Sequence, residues 1–434
     1  MSARRLLTVL LVLASAVPAL AADQVPEKLK EKYKLDPFYE KYVDADGLPI
    51  LGSKKVSDDA LAEAAWIVRK MLAGRKDILD AMAEQNVRAV IMAKDEFTTD
   101  VPEHSNMKPK LFWDRRARGL GATTRNPVVS GAEENLLTFR RDPYPNENIF
   151  LHEFSHAIHG TGMNKVDPTF DKRLRAAHKA ATERGLWKNT YAATNPAEYW
   201  AEGAQSWFDD NAPPDALHNE VRTRAKLKEY DKELAKLCEE VFGDKEWRYT
   251  KPKDRKADDR AHLKDYDPKK VPTFKWRDAD LGDKPVVVIQ TDLGDFEVEL
   301  DAKGSKAAAI NFVRAALDGG FHSGRFERVT GGGAWATANA EWQKKWAKEL
   351  KLEKWSESAS AKPTDGTIGV VRENGGVVGF VVFSGEMPDA GKADVVIIGK
   401  VSKGNEVVKK LMEQPAEDGK IKKPLDIRRV IRNQ

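Results

Sequence analysis

The stretch Asn148-Ile149-Phe150-Leu151-His152-Glu153-Phe154-Ser155-His156-Ala157-Ile158-His159-Gly160 decides how the first half of the chain reads. It is an apolar run carrying H-E-x-x-H, with Gly160 where a helix would stop. Residues four apart on a helix lie one turn apart on the same face, so His152 and His156 can offer two imidazoles to one metal ion. Glu153 sits about 100° round the helix and can reach a water at that ion rather than the ion itself. Two histidines plus one carboxylate, with an open fourth position, is a zinc donor set. Phe154, Ala157 and Ile158 are left to face a core. H-E-x-x-H also occurs by chance in unrelated sequences, so a third ligand is needed.

His159 is the nearest one. It shares the face of His152 and His156, but seven residues of helix rise about 10 Å, too far for three rings to meet at one ion. His159 therefore reads as a residue behind the ligands or in the core. The better source is Thr190-Tyr191-Ala192-Ala193-Thr194-Asn195-Pro196-Ala197-Glu198-Tyr199-Trp200-Ala201-Glu202-Gly203. Asn195 reads as an N-cap and Pro196 as the first helical residue. Glu198 and Glu202 then lie four apart on one face, one to bind metal and the other to buttress a ligand histidine. Asn195-x-x-Glu198 is also a capping-box pattern, in which Glu198 merely closes the helix end. Spacing alone leaves both readings open.

The two blocks together, HEFSHAIH and a Tyr followed after six residues by the Glu of TNPAEYWAE, resemble the catalytic domain of the anthrax lethal factor-like gluzincin metallopeptidases. The resemblance covers residues 148–208. It implies one zinc ion held by His152, His156 and Glu198, with Glu153 as the base. It further implies Tyr191 as donor to the oxyanion and Glu202 behind the ligands. Ser155 stands where that family often has Gly, on the side away from the metal. The implied reaction is peptide-bond hydrolysis: zinc activates water and polarises the carbonyl, Glu153 carries the proton to the leaving amine, and Tyr191 steadies the developing charge. Zincins commonly hold extended peptide along an edge strand, for which Val87–Met92 or the run before Thr98 is the candidate. Trp113–Thr123, with Arg115, Arg116 and Arg118, is a second candidate on the substrate side or a solvated surface loop.

Outward from this centre, the N-terminus MSARRLLTVLLVLASAVPALAADQ has a basic start, a short apolar run Leu6–Val17 and the small-x-small triplet Ala19-Leu20-Ala21. That is a secretory signal peptide over 1–21, cut before Ala22, which makes the product secreted or periplasmic with no stable membrane insertion. Without Arg4 and Arg5, Lys+Arg falls from 72 to 70 against 68 Asp+Glu, leaving a charge of +2 and no field for nucleic acid. The lone Cys238 excludes an intrachain disulfide and reads as a half-buried filler on a charged helix. Asp59–Ala73 has helical apolar spacing, Val87–Met92 reads as a buried strand, and Glu220–Phe242 as one or two surface helices. In Lys251–Lys270, 13 of 20 residues are Asp, Lys or Arg, so 251–282 is expected to be a charged linker.

Beyond it, Val286–Gln290 and Phe296–Leu300 flank Leu293-Gly294-Asp295 as a β-hairpin, Ala307–Leu317 is helical, and Thr367–Val371, Val377–Phe383 and Val395–Ile398 are strands. Thr291-Asp292-Leu293-Gly294-Asp295-Phe296-Glu297-Val298-Glu299-Leu300, then Phe326-Glu327-Arg328-Val329, Gly366–Arg372, Gly379–Val382 and Ile398–Val401 look like a cyclophilin-type peptidyl-prolyl isomerase. On that resemblance Arg328 is the catalytic arginine, with Phe326 and Phe380 beside it. Glu327 replaces the usual His, Thr330–Ala334 lacks the Q-G-G-D stretch, and no Gln precedes Phe380. Those departures favour a barrel kept for peptide binding or for spacing. Lys344–Glu349 reads as a solvated helix in an insertion.

The expected architecture is an α+β zincin-like metallopeptidase domain, 22–250, followed after the linker by a mainly-β cyclophilin-like barrel, 283–434. The expected function is zinc-dependent hydrolysis of a peptide or protein substrate. The alternatives are an exported isomerase acting as a folding helper and a zinc-binding pseudo-protease.

Overall fold

A computed structural model describes residues 22–108, 110–215, 217–277, 284–304, 306–317, 320–321, 324–340, 363–373, 376–384 and 395–433. The leader expected over 1–21 and the insertion at Lys344–Glu349 lie outside these. Among the described residues no helix is long and apolar enough to cross a membrane. Two compact units emerge, the first comprising residues up to Glu96, Val101–Glu103 and Arg118–Lys275, the second Phe97–Asp100, His104–Ala117 and everything from Trp276 onward.

The first unit is built on a five-stranded sheet: β1 (Asp23–Gln24), β2 (Lys41–Ala45), β3 (Leu48–Gly52), β4 (Arg88–Met92) and β5 (Val128–Ala132), in that spatial order. β1 to β3 pair antiparallel, whereas β3–β4 and β4–β5 are parallel. Parallel strands are buried on both faces, which is why Arg88-Ala89-Val90-Ile91-Met92 is almost wholly apolar. The helix Asp58–Met71 is capped by Ser57, whose side chain accepts from the Ala60 amide, and lays Leu61, Ala64, Ala65 and Val68 into the core. Val87–Met92 is therefore a central strand, hydrogen-bonded on both sides, and not the edge expected from its sequence.

The charged stretch after residue 250 is not a spacer. Arg255 makes a two-pronged ion pair with Glu63, at 2.8 and 2.6 Å, and His262 Nε2 sits 2.8 Å from the same carboxylate. The Arg255 guanidinium and the His262 ring both stack on Trp66, at 4.0 and 5.0 Å. Leu263 and Val271 join the apolar core. Charge composition suggested solvation here, but Arg255, joined by His262, satisfies a buried carboxylate.

In the second unit, eight strands close a barrel: β6 (Val286–Thr291), β7 (Gly294–Leu300), β8 (Gly324–Thr330), β9 (Gly333–Thr337), β10 (Thr367–Glu373), β11 (Gly376–Phe383), β12 (Val395–Lys403) and, after a two-residue strand β13 (Ala416–Glu417), β14 (Lys420–Asn433). The order β14-β6-β7-β12-β10-β11-β9-β8 returns to β14 through the β8–β14 pairing, so no barrel edge is left open among the described strands. Val286–Thr291 alternates half-buried and buried residues, as a barrel wall must. The helices Lys306–Leu317 and Asn405–Met412 contribute Phe312, Val313, Val407, Val408 and Leu411 to the core. Two pieces expected in the first domain belong here by contact: Arg115 stacks on Trp276 at 4.9 Å, and Arg277 pairs with Asp100.

Candidate metal centre and the barrel surface

The helix Ile149–Ala157 begins at Asn148, whose side chain accepts from the Leu151 amide at 2.9 Å and donates to the Tyr249 hydroxyl at 2.7 Å. Phe150, Leu151, Phe154 and Ala157 are buried, which pins the opposite face. The helix does not end at Gly160 as the sequence suggested. It continues as a π-helix over Ile158–Met163, where Gly162 packs so closely on Ile78 and Met82 that a Cβ would fall 2.6 Å from Ile78 Cγ2. The second helix, Pro196–Trp207, is capped by the Asn195 side chain, which accepts from the Ala197 and Glu198 amides at 2.9 and 3.0 Å. Trp200 Nε1 donates to Ser155 O at 2.8 Å and ties the two helices together.

That junction brings three donor atoms together. Glu198 Oε2 lies 3.1 Å from His152 Nε2 and 3.2 Å from His156 Nε2, and the two ring nitrogens are 3.2 Å apart. Among the described residues, this is the one set of three His, Cys, Asp or Glu donors close enough to share an ion. Bonds of 2.0–2.1 Å to a tetrahedral zinc would set neighbouring donors about 3.3 Å apart, so the spacing and the N, N, O chemistry both fit. Burial would raise Glu198, but His152 and His156 hold its carboxyl well below the usual range. Burial disfavours a charged His152, yet Glu198, Glu153 and Glu202 push it up to about 10. The upward shift of His152 comes from the three carboxylates gathered round it, a negative surround that would also favour a divalent ion.

Behind the donors stands a residue that the sequence did not single out. His152 Nδ1 is 2.7 Å from Gln205 Oε1, while Gln205 Nε2 donates to Glu147 Oε2 at 3.0 Å. Glu202 Oε1, expected in that place, is 3.8 Å from the same ring nitrogen. Glu198, Glu202 and Gln205 occupy successive turns of one helix face, so an i, i+7 search from Glu198 would have found Gln205. Tyr191 flanks the site, its ring centre 6.2 Å from that of His152. His159 is buried away from the donor set, its Nε2 3.1 Å from Asp171 Oδ1, and burial pushes its pKa down against that carboxylate.

The segment Gly119-Leu120-Gly121 runs along the H-E-x-x-H helix. Leu120 exchanges backbone hydrogen bonds with Ser130 of β5, at 3.3 and 2.9 Å. A Cβ on Gly121 would fall 2.7 Å from His156 Cβ, and one on Gly119 would fall 3.0 Å from Glu153 Cγ, so glycine is what lets this backbone touch the helix. Arg118 is no solvated loop residue: it is fully buried and pairs with Glu134 at 2.5 and 3.0 Å.

On the barrel, Phe326 and Phe380 are both completely buried and meet edge-on at 5.6 Å. They fill the barrel interior, behind the wall that carries Arg328. Arg328 would share the inward face of Phe326 in a regular strand. The register of β8 slips between Phe326 and Arg328 against both neighbours, and the slip turns Arg328 out to solvent opposite Trp335. A second apolar cluster, apart from the barrel core, joins Val381, Phe383 and Val395, with Trp335, Val371 and Ile397 packed against it.

The cyclophilin type peptidyl-prolyl cis-trans isomerase/CLD family model matches residues 286–432. This part of the chain is a cyclophilin-type domain. Two solved structures of a cyclophilin type peptidyl-prolyl cis-trans isomerase from Cryptosporidium parvum, one of them in the presence of the dipeptide Ala-Pro, are similar to the chain at 17% identity. They cover 35% and 34% of this chain and 98% and 99% of their own, with TM-scores of 0.30 and 0.29. No curated protein matches the chain.

Proposed function

We propose that the first unit is a zinc-dependent peptide hydrolase and that the cyclophilin-type domain engages peptide or protein chains. The observation that carries the first part is the mutual approach of His152 Nε2, His156 Nε2 and Glu198 Oε2 to within 3.2 Å. When bound, zinc would polarise a peptide carbonyl and make water nucleophilic near neutral pH. Glu153, beside the donors on the same helix, takes the proton of the attacking water and returns it to the leaving amine. Tyr191 donates to the carbonyl oxygen as that atom gains charge. Gln205 keeps the His152 Nε2 lone pair turned inward. The test is zinc content and casein cleavage by the full chain. Wild type should carry one zinc and cleave; Glu198→Ala should lose the metal, and unchanged zinc in that variant removes Glu198 from the ligand set. Zinc binding without cleavage in wild type would leave the pseudo-protease reading.

The second reading, prolyl isomerisation, is favoured by the family match over residues 286–432, which speaks for it more directly than any relative speaks for the hydrolase. The solvent-facing Arg328 is the group that would polarise a prolyl amide. Isomerase activity of the full chain that is destroyed by Arg328→Ala supports it; activity indifferent to Arg328 removes that residue from it. The leader pattern supports export, which N-terminal sequencing of secreted protein, starting at Ala22, would test.

A further inference from the structure

Beyond the metal helices, the chain returns to the site through the turn around Asp215–His218. Asp215 Oδ1 accepts from the Leu217 and His218 amides, at 2.8 and 2.9 Å, and from His218 Nδ1 at 2.8 Å. That fixes the imidazole with its other nitrogen inward: His218 Nε2 lies 3.8 Å from Glu202 Oε2. Glu202 is buried, and its other oxygen is 3.8 Å from His152 Nδ1. The same turn also holds the backbone of Tyr191, whose amide donates to Leu217 O at 2.7 Å. Asn211 Nδ2 also reaches Glu202 Oε2, at 3.1 Å, so the carboxylate is gripped from two sides.

We infer that His218 is a positioning residue that ties the carboxylate behind the metal ligands to the loop that sets Tyr191. The inference rests on the hydrolase reading and deepens it. One side of the His218 ring faces Glu202, whose carboxyl lies 3.8 Å from His152 Nδ1 beside the direct contact made by Gln205. The other side, through Asp215 and the Leu217 carbonyl, holds the backbone of Tyr191. A buried carboxyl group needs polar partners, and His218 and Asn211 supply them to Glu202 from the Asp215–His218 side of the site. Burial works against charging His218, but Glu202, Glu147 and Asp215 together raise its pKa.

The test uses the full chain as wild type, His218→Ala, His218→Gln, Tyr191→Phe and the double variant His218→Ala/Tyr191→Phe. Zinc affinity is read by competition with a chromogenic chelator, and turnover with casein. His218→Ala should keep a cooperative melt, weaken zinc about 10- to 100-fold and lower kcat with little change in KM. His218→Gln, which keeps a donor towards Glu202, should recover part of the zinc affinity. With zinc saturating, the double variant should be no slower than Tyr191→Phe, since the two residues act on one step. Unchanged zinc affinity in His218→Ala, or losses that multiply in the double variant, overturns the role of His218 alone. A wild type that neither binds zinc nor cleaves casein overturns the hydrolase reading together with it.

Discussion

Gln205 Oε1 lies 2.7 Å from His152 Nδ1, and this contact decides which nitrogen of the ring faces the donor cluster. Because Gln205 Nε2 is engaged by Glu147, its oxygen is the atom turned to the histidine, so His152 donates from Nδ1 and directs Nε2 towards Glu198 and His156. Replacing Gln205 by Leu should weaken zinc about 10- to 100-fold, measured by chelator competition. An unaltered affinity would mean that the ring is oriented by packing alone.

Glu153→Gln keeps the shape of the side chain and removes the base. The expected outcome is one zinc per chain, as in wild type, with casein cleavage reduced by about 10²- to 10⁴-fold. Loss of zinc along with activity would make Glu153 a ligand and refute the division of roles.

Two glycines should answer oppositely to a methyl group. Gly121→Ala drives a Cβ to 2.7 Å from His156 Cβ, so it should displace that proposed ligand and lower zinc affinity. Gly160→Ala meets nothing within 4 Å and should raise unfolding stability by about 0.5–1 kcal/mol through helix propensity. Denaturant midpoints and zinc titration of both variants check the contrast.

Burial alone would raise the Glu63 carboxyl, but Arg255 and His262 outweigh it and hold the folded-state pKa below the ordinary 4.5. A carboxylate depressed in the folded state contributes stability above its unfolded pKa, and that contribution is lost as pH falls through the folded value. Acidification from about pH 6 to pH 3 should therefore destabilise wild type more steeply than Glu63→Gln. Glu63→Ala, which strands the Arg255 charge, should cost about 3–5 kcal/mol near neutral pH. Parallel pH curves for wild type and Glu63→Gln would count against the assignment.

The pairing of His152 with His156 was legible because it is local, one turn of one helix, whereas Glu198, 46 residues on, stood open between ligand and helix cap on spacing and was chosen by the resemblance. The sequence carried the barrel for a similar reason, since the alternation of β6 and the tight turn at Asp292–Leu293, one residue before the place expected from Leu293-Gly294-Asp295, are written in adjacent residues. What stayed hidden depends on remote partners. Arg255 and His262 look solvated until Glu63, 192 and 199 residues away, is placed beside them. β4 looks like any apolar strand until β3 and β5 take both of its edges. The outward turn of Arg328 comes from a slip of register, which no pattern of alternation displays.

The embrace of Glu63 by Arg255 also bears on the order in which the protein can be made. During synthesis the helix Asp58–Met71 emerges long before Arg255 and His262 do, so its future interior holds an acid without a counterion until nearly 200 further residues have left the ribosome. The first unit should therefore stay open through most of its own translation and close late, once the chain has passed Lys275. Nascent chains truncated before residue 255 would be expected to remain sensitive to protease, whatever helices they have already formed.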